Sequence, residues 1–219
     1  MEVNSKITLY LDADDTVLRS SEAMIEILNK KYNINPAKTI KDLSDWGYRS
    51  IYGYMTPEEV REIYASDEFF DIVKINSTFL DFFKKSLAKV NFVFVTKGTP
   101  ENIEKKEKYL RENLGFDFEY IGIPFKLDAD GKVNTSFSKR SINMKHGIQI
   151  DDRVDCLKDS NAPIKILIKT YGDHYWNQMK DYSGIPNLYV VNNWEQAIQI
   201  IEFAYNEHFI FKKCIYIFG

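Results

Sequence analysis

The sequence predicts an α/β protein, a doubly wound parallel sheet with a small helical cap inserted after the first strand. Three observations carry this. Short apolar runs rich in β-forming residues recur at 7–11, 91–95, 118–123, 147–150, 164–168 and 188–191. Polar helical patterns separate several of these runs, the alternation that marks parallel strands joined by crossover helices. Residues 20–89 carry helical patterns and no convincing strand, so they read as an insertion. The expected division is a core of residues 1–19 and 90–219 and a cap of residues 20–89.

The first strand opens the chain as ITLYLDADDTVL, residues 7–18. Five apolar-leaning residues end abruptly in Asp12, Asp14 and Asp15, with Thr16 next. A buried parallel strand presents functional residues in the crevice at its carboxyl end. Carboxylates this close repel, and leaving water is costly unless a cation or partner compensates. The simplest reading is a divalent cation site that also does chemistry. An EF-hand start does not fit, because its sixth position would be Val17 rather than Gly and its twelfth Ala23 rather than Glu. An acidic turn capping the next helix is the plainer alternative.

The insertion begins with helical spacing over 20–32, where Ala23, Met24, Ile25, Ile27 and Leu28 supply the apolar face and Ser20 or Ser21 the cap. Residues 33–45 are loop-like and contain Pro36; WGYRSIYGYM follows at 46–55. Thr56-Pro57-Glu58-Glu59 is a capping box with Pro at the first helical position. A further helix is expected over 77–88, with Phe79, Leu80, Phe82, Phe83 and Leu87 on its broad apolar face.

The second strand, 91–95, ends in Thr96-Lys97-Gly98, and Thr99-Pro100 then opens a polar helix over 101–114 that Gly115 closes. Residues 126–137 read as a hairpin turning at Asp130-Gly131, with Asp128 and Asp130 as turn residues rather than ligands. The strand at 147–150 ends in Asp151-Asp152-Arg153. Asn193-Trp194-Glu195-Gln196 caps a last amphipathic helix to about Tyr205. The apolar tail, 208–219, fits an edge strand, an oligomer contact or a disordered end.

Composition narrows the function classes. At 219 residues, 44% hydrophobic and 28% charged, the chain supports one sizeable core. A formal net charge of -3 gives no electrostatic case for nucleic acid as the main partner. Two cysteines far apart, Cys156 and Cys214, argue against a disulfide framework and make a reducing, cytoplasmic setting the default. The apolar runs are too short for a signal segment or a membrane span, so no membrane partner is expected. His146, His174 and His208 show no ligand spacing. The abundant aromatic residues read first as core packing, and the sequence leaves oligomeric state open.

Three strand ends thus converge, bearing Asp12 and Asp14, Thr96, and Asp151 with Asp152. A basic residue lies shortly before the last pair, at Lys139 or Arg140, with Lys145 a weaker candidate. This order resembles the haloacid dehalogenase (HAD) superfamily of phosphohydrolases, whose motifs are a DxDxT nucleophile strand, a Thr or Ser after the second strand, a Lys, and an acidic pair. The resemblance covers residues 7–205 and implies a HAD-like Rossmannoid core. Ile150-Asp151-Asp152-Arg153, ILIKTY at 166–171 and Val191-Asn192-Asn193-Trp194 look further like the 5'(3')-deoxyribonucleotidase family, which has a helical cap after the first motif. That family removes phosphate from nucleoside monophosphates with Mg2+. Two departures stand out: its usual Gly after the second Asp is Asp15 here, and the lysine motif is blurred by adjacent Lys139 and Arg140.

The chemistry is legible in the same residues. Phosphoryl transfer needs a nucleophile, charge neutralisation and a proton for the leaving oxygen. Asp12 is the expected nucleophile and Asp14 the acid and base. Asp12, Asp14, Asp151 and Asp152 are the expected metal set for Mg2+. Thr96, Lys97, Gly98 and Lys139 are expected to hold phosphate. Trp46 and Tyr48 are the candidate rings for stacking a nucleobase, by resemblance to the deoxyribonucleotidases. The expected partner is a small phosphomonoester. A sugar phosphate, a nucleic-acid 3'-end or a non-catalytic binding module on the same fold are the competing readings.

Overall fold

The computed structural model describes residues 6–127, 133–134, 139–174, 176–179 and 181–217. Its strands are β1 (Ile7–Leu11), β2 (Val90–Gly98), β3 (Phe118–Pro124), β4 (Lys126–Leu127), β5 (Val133–Asn134), β6 (Gly147–Asp151), β7 (Ile164–Ile168) and β8 (Leu188–Val191). Six of them form one parallel sheet in the order β3-β2-β1-β6-β7-β8. β1 lies at the switch point: the chain winds out through β2 and β3, then returns to β6 on its other side. A crevice opens beyond the carboxyl ends of the strands at such a point. Register decides what meets there. Leu11 pairs with Phe94 on one side and Ile150 on the other, so Asp12, Thr96 and Asp151 emerge at one end of adjacent strands.

Helices α1 (Ser20–Lys31), α2 (Pro57–Tyr64), α3 (Asp67–Ile72) and α4 (Ser77–Ser86) fall between β1 and β2; α5 (Pro100–Leu114), α6 (Val154–Lys158) and α7 (Trp194–Ile217) follow. The Thr56 capping box forms as its sequence dictates, with Glu59 N donating to Thr56 Oγ1 at 3.2 Å and Thr56 N to Glu59 Oε2 at 2.8 Å. α5 runs to Leu114, and Gly115 at φ 90 takes the left-handed step that ends it. β4 and β5 pair antiparallel as the expected hairpin; its Asp130-Gly131 turn lies outside the described residues.

Three expectations change. Neither Ser20 nor Ser21 caps α1: the cap position is Arg19, and both serines are buried with acidic partners. α3 and α6 were not legible, because five or six residues with paired apolar positions show no period to read. α7 continues to Ile217, so residues 208–217 are helical rather than an edge strand. Within the span 20–89, the last helix also packs on the sheet. Phe79 and Phe83 of α4 meet the rings of Phe92 in β2 at 6.3 and 4.5 Å, and Phe79 meets Trp194 of α7 at 4.8 Å. α4 therefore belongs to the helical layer on the sheet. From the insertion, Ser20 and Ser21 of α1, and Trp46, Arg61 and Tyr64, reach the residues beyond the strand ends.

One apolar cluster joins these parts, taking Leu9, Leu11, Phe92 and Ile150 from the sheet and Met24, Tyr48, Ile63 and Phe69 from the insertion. Each fully buried side chain of this size contributes about 1.5–3 kcal/mol. The insertion is also tied down by side chains of α5: Asn102 Nδ2 donates to Tyr64 O at 2.6 Å and Lys105 Nζ to Ala65 O at 2.8 Å. Among the described residues, no helix is long and apolar enough to cross a membrane.

Candidate active site

The loop leaving β1 is a tight one. Val17 N and Leu18 N both donate to Ala13 O. Its outside is pinned by two long-range contacts, Trp194 Nε1 to Thr16 O at 2.8 Å and Thr170 Oγ1 to Asp15 O at 2.9 Å. Asp15 sits at φ 53, in the left-handed region that Gly, Asn and Asp tolerate best. That backbone explains why a Gly suits this position and why Asp can replace it. The Asp15 carboxylate is buried and accepts from Ser21 N at 2.8 Å and from Ser21 Oγ. The Ser21 hydroxyl lies 2.9 Å from the Tyr48 hydroxyl, which lies 2.7 Å from that of Tyr64. Burial pushes the Asp15 carboxyl up to about 7, against the pull of its bonds from Ser21.

Beside this loop, carboxylate oxygens of Asp12, Asp151 and Asp152 lie within 4.8 Å of one another. Lys139, buried on a short helical turn at Lys139–Ser141, donates to Asp12 Oδ1 and, at 2.7 Å, to Asp151 Oδ2. Its neighbour Arg140 is exposed, as is Lys145. The lysine at the site is therefore Lys139. Asp151 Oδ1 also accepts from Arg153 N at 3.0 Å, and Asp152 Oδ2 from Trp176 Nε1 at 2.9 Å. Burial pushes Asp12 up to about 6, with Lys139 pulling the other way. Burial and the charges of Asp12 and Asp151 push Asp152 well above the usual carboxylate range. For Lys139 burial opposes the charge, but Asp12 and Asp151 hold its ammonium well above the ordinary lysine value. Three buried carboxylates with one lysine form an oxygen-rich, electron-rich donor set, which fits a hard divalent cation such as Mg2+.

Asp14 does not join that set with its side chain. Its Oδ1 accepts from Ser20 Oγ at 2.7 Å and its Oδ2 from Lys106 Nζ at 2.5 Å. Three of the four carboxylates expected to bind a metal therefore cluster, and Asp14 stands apart as a separate, tethered carboxylate. Lys106 also donates to Thr96 Oγ1 at 3.0 Å. Lys106 was not singled out by sequence, since α5 carries several lysines. The available signal was position: Asn102, Lys106 and Leu110 recur every four residues and form the helix's buried face.

Thr96 is fully buried, Lys97 is half-buried with its ammonium 5.8 Å from the Phe125 ring, and Gly98 is buried at the end of β2. A Cβ on Gly98 would stand 2.4 Å from Asn102 Oδ1, so a larger residue would have to displace the Asn102 side chain from its bond to Tyr64 O. A crevice runs outward from Asp14 past Thr99 and Lys97, between Trp46 and Phe125, with Arg61 and Tyr64 on the insertion side. Trp46 is half-buried, edge-on to Trp176 at 5.4 Å, with the Arg153 guanidinium 5.5 Å from its ring. Tyr48 is different. It is 0% exposed at φ 57 and its hydroxyl is taken by Ser21 and Tyr64. The expectation that Tyr48 stacks on substrate is corrected: its ring is core, and no face of it meets the crevice.

No family model matches the sequence, and no curated protein does. Solved structures do. A haloacid dehalogenase-like hydrolase of Streptococcus pneumoniae superposes with a TM-score of 0.55 at 12% identity, over 90% of this chain and 98% of that one. A predicted phosphatase of Clostridium acetobutylicum gives 0.56 at 17% identity, over 90% and 99%. A Bacillus subtilis protein described as a HAD-hydrolase and bound to magnesium gives 0.53 at 17% identity, over 89% and 98%. Identities this low speak to architecture: the chain has the fold of the haloacid dehalogenase-like hydrolases.

Proposed function

We propose that the protein is a Mg2+-dependent phosphomonoesterase that works through an aspartyl-phosphate, with nucleoside monophosphates as its substrates. One observation carries the reading: Asp12 lies within an acidic cluster and against Lys139, while Asp14, two residues on, is tethered apart from it. Nucleophile and proton carrier need different surroundings, and these two carboxylates have them.

In this reading Asp12 attacks phosphorus and the ester oxygen leaves with a proton from Asp14. Asp14 then takes a proton from the water that opens the aspartyl-phosphate. Thr96, Lys97 and the amide of Gly98 hold the phosphate oxygens, and Lys139 stabilises charge beside Asp12. Mg2+ held by Asp12, Asp151 and Asp152 would supply the remaining charge neutralisation. The stretch from Trp46 to α3 acts as the cap, and Trp46 with Phe125 walls the place of the leaving group. The nucleotide assignment rests on that aromatic wall together with the resemblance of the sequence motifs.

The test is a phosphate-release screen over nucleoside monophosphates, sugar phosphates and a chromogenic phosphomonoester, with Mg2+ and with excess chelator. Asp12→Asn is the control and is expected to be inactive while folded. Turnover in chelator would remove the metal, and turnover by Asp12→Asn would remove the nucleophile. A preference for sugar phosphates would reject nucleotides.

A further inference from the structure

The structure assigns to Lys106 the role of positioning residue for proton transfer, acting through Asp14 and Thr96. The inference rests on the phosphomonoesterase reading above and extends it to a residue outside the motifs that carried it. A lysine that is 0% exposed in the interior of a long helix is unusual, because its charge must be compensated where it lies. Lys106 is compensated by Asp14, whose Oδ2 accepts from its ammonium at 2.5 Å, and it donates a second bond to Thr96 Oγ1 at 3.0 Å.

The two bonds have distinct consequences. Asp14 accepts from Lys106 on one oxygen and from Ser20 Oγ, at 2.7 Å, on the other. Bonds at both oxygens, from different helices, fix the plane of the carboxyl and so the direction from which a proton leaves or enters. A hydroxyl has one proton and two lone pairs. Because Thr96 Oγ1 accepts from Lys106, its proton has to point elsewhere, and it is available for a phosphate oxygen. Lys106 therefore sets the orientation of a proton carrier and of a phosphate ligand together, without itself touching substrate.

Lys139 is not an alternative source of this effect. Its ammonium is occupied by Asp12 and Asp151, on the other side of the site.

The experiment compares wild type with Lys106→Met, which keeps length and removes charge, and with Lys106→Gln, which keeps a donor. Both are checked for folding by circular dichroism and thermal melting. Each is assayed with Mg2+ on a nitrophenyl phosphate, whose leaving group departs without a proton, and on an alkyl phosphate, whose leaving group needs one. Loss of well-directed general acid catalysis lowers the rate on the alkyl ester by about a hundredfold. The rapid first release of nitrophenolate should change much less, while later turnovers slow because water attack also uses Asp14. Lys106→Gln should recover part of the alkyl rate. Combined with Asp14→Asn, Lys106→Met should add little to the difference between the two esters, since residues acting as a unit are non-additive, and the lost contact to Thr96 should add only a rise in KM common to both. Equal losses on both esters in the first turnover, an additive change in that difference in the double variant, or an unchanged alkyl rate would overturn the proposal. If Lys106→Met does not fold, Lys106→Gln decides by the same leaving-group comparison. Wild type inactive on both esters would overturn the phosphatase reading, and this proposal with it; an active wild type matched by the variants would overturn this proposal alone.

Discussion

Asp15→Asn should stabilise the protein, and more so as pH rises. Asp15 is buried, and its carboxyl is pushed from 3.8 to about 7, chiefly by loss of water. The sign follows from proton binding. Below about pH 4 both folded and unfolded chains carry the proton, and the group contributes nothing. Between there and about pH 7 the unfolded chain has lost a proton that the folded chain keeps, so stability falls as pH rises. Above pH 7 the full penalty is present, on the order of 4 kcal/mol. An asparagine cannot ionise, tolerates φ 53, and can still accept from Ser21 N while its amide donates to Ser21 Oγ.

The variant should exceed wild type by only about 1 kcal/mol at pH 4.5 and increasingly to pH 8. At about 2–4 °C per kcal/mol for a chain of this size, the midpoint gain at pH 8 is roughly 10 °C. The assay is thermal and urea unfolding from pH 4.5 to 8 in chelator, which keeps cation binding at the neighbouring carboxylates out of the comparison. Asp12 and Asp152 also carry raised carboxyls, so a reduced slope with pH is expected rather than a flat line. An unchanged slope, or a variant less stable than wild type at pH 8, would refute the argument that Asp15 is a buried and costly acid.

Tyr48→Phe removes a buried hydroxyl bonded to Ser21 and Tyr64, and should lower stability by about 1–3 kcal/mol while leaving KM unchanged; a selective rise in KM for nucleotides would return Tyr48 to the substrate. Trp46→Ala should raise KM for a deoxynucleoside monophosphate roughly ten- to a hundredfold, the worth of one stacking contact, with little change on a small chromogenic ester; equal losses on both would make Trp46 a support of the cap only. Lys139→Met leaves Asp12 and Asp151 without their shared cation, and should cost about 3–5 kcal/mol in chelator along with most turnover; added Mg2+ should restore part of the stability, and no restoration would remove Asp12 and Asp151 from the metal site.

The sheet was legible because its strands announce themselves. Residues 164–168 and 188–191 form strands with the expected bounds, and the acidic ends of β1 and β6 lie beside each other as their motifs require. Lys139 was legible as one of two adjacent basic residues, and burial distinguishes it from Arg140. What could not be read is contact across elements. Tyr48 looked available for stacking because it lies among aromatic residues between two glycines, yet the Ser21 and Tyr64 hydroxyls draw it into the core. The polar partners of Asp14 and Asp15 come from α1 and α5, and nothing in a period-reading of those helices marks Ser20, Ser21 or Lys106 as facing acids. α4 shows the converse: its apolar face was plain, but not that it packs on the sheet.

The charge pattern explains why both lysines sit where they do. Five carboxylates, Asp12, Asp14, Asp15, Asp151 and Asp152, crowd the end of β1 and β6, and among the described residues Lys106 and Lys139 are the lysines that reach them. Neither lysine comes from the strands. One stands on α5, beyond β2, and the other on the turn before β6, so the cations approach the acids from opposite sides. Asp14 is thereby paired individually, whereas Asp12 and Asp151 share one ammonium and Asp152 has only the neutral indole of Trp176 beside the more distant Arg153 charge. Among the described residues, the three carboxylates that converge on one side of the site share a single ammonium, and Asp15 is bonded to Ser21 rather than to a lysine. An anion entering from the crevice would be repelled by that side, and a divalent cation bound there would reverse the sign it meets. The fold thus separates a convergent acidic cluster, whose oxygen donors fit a hard cation, from a carboxylate already paired, and two lysines on two different elements produce that separation.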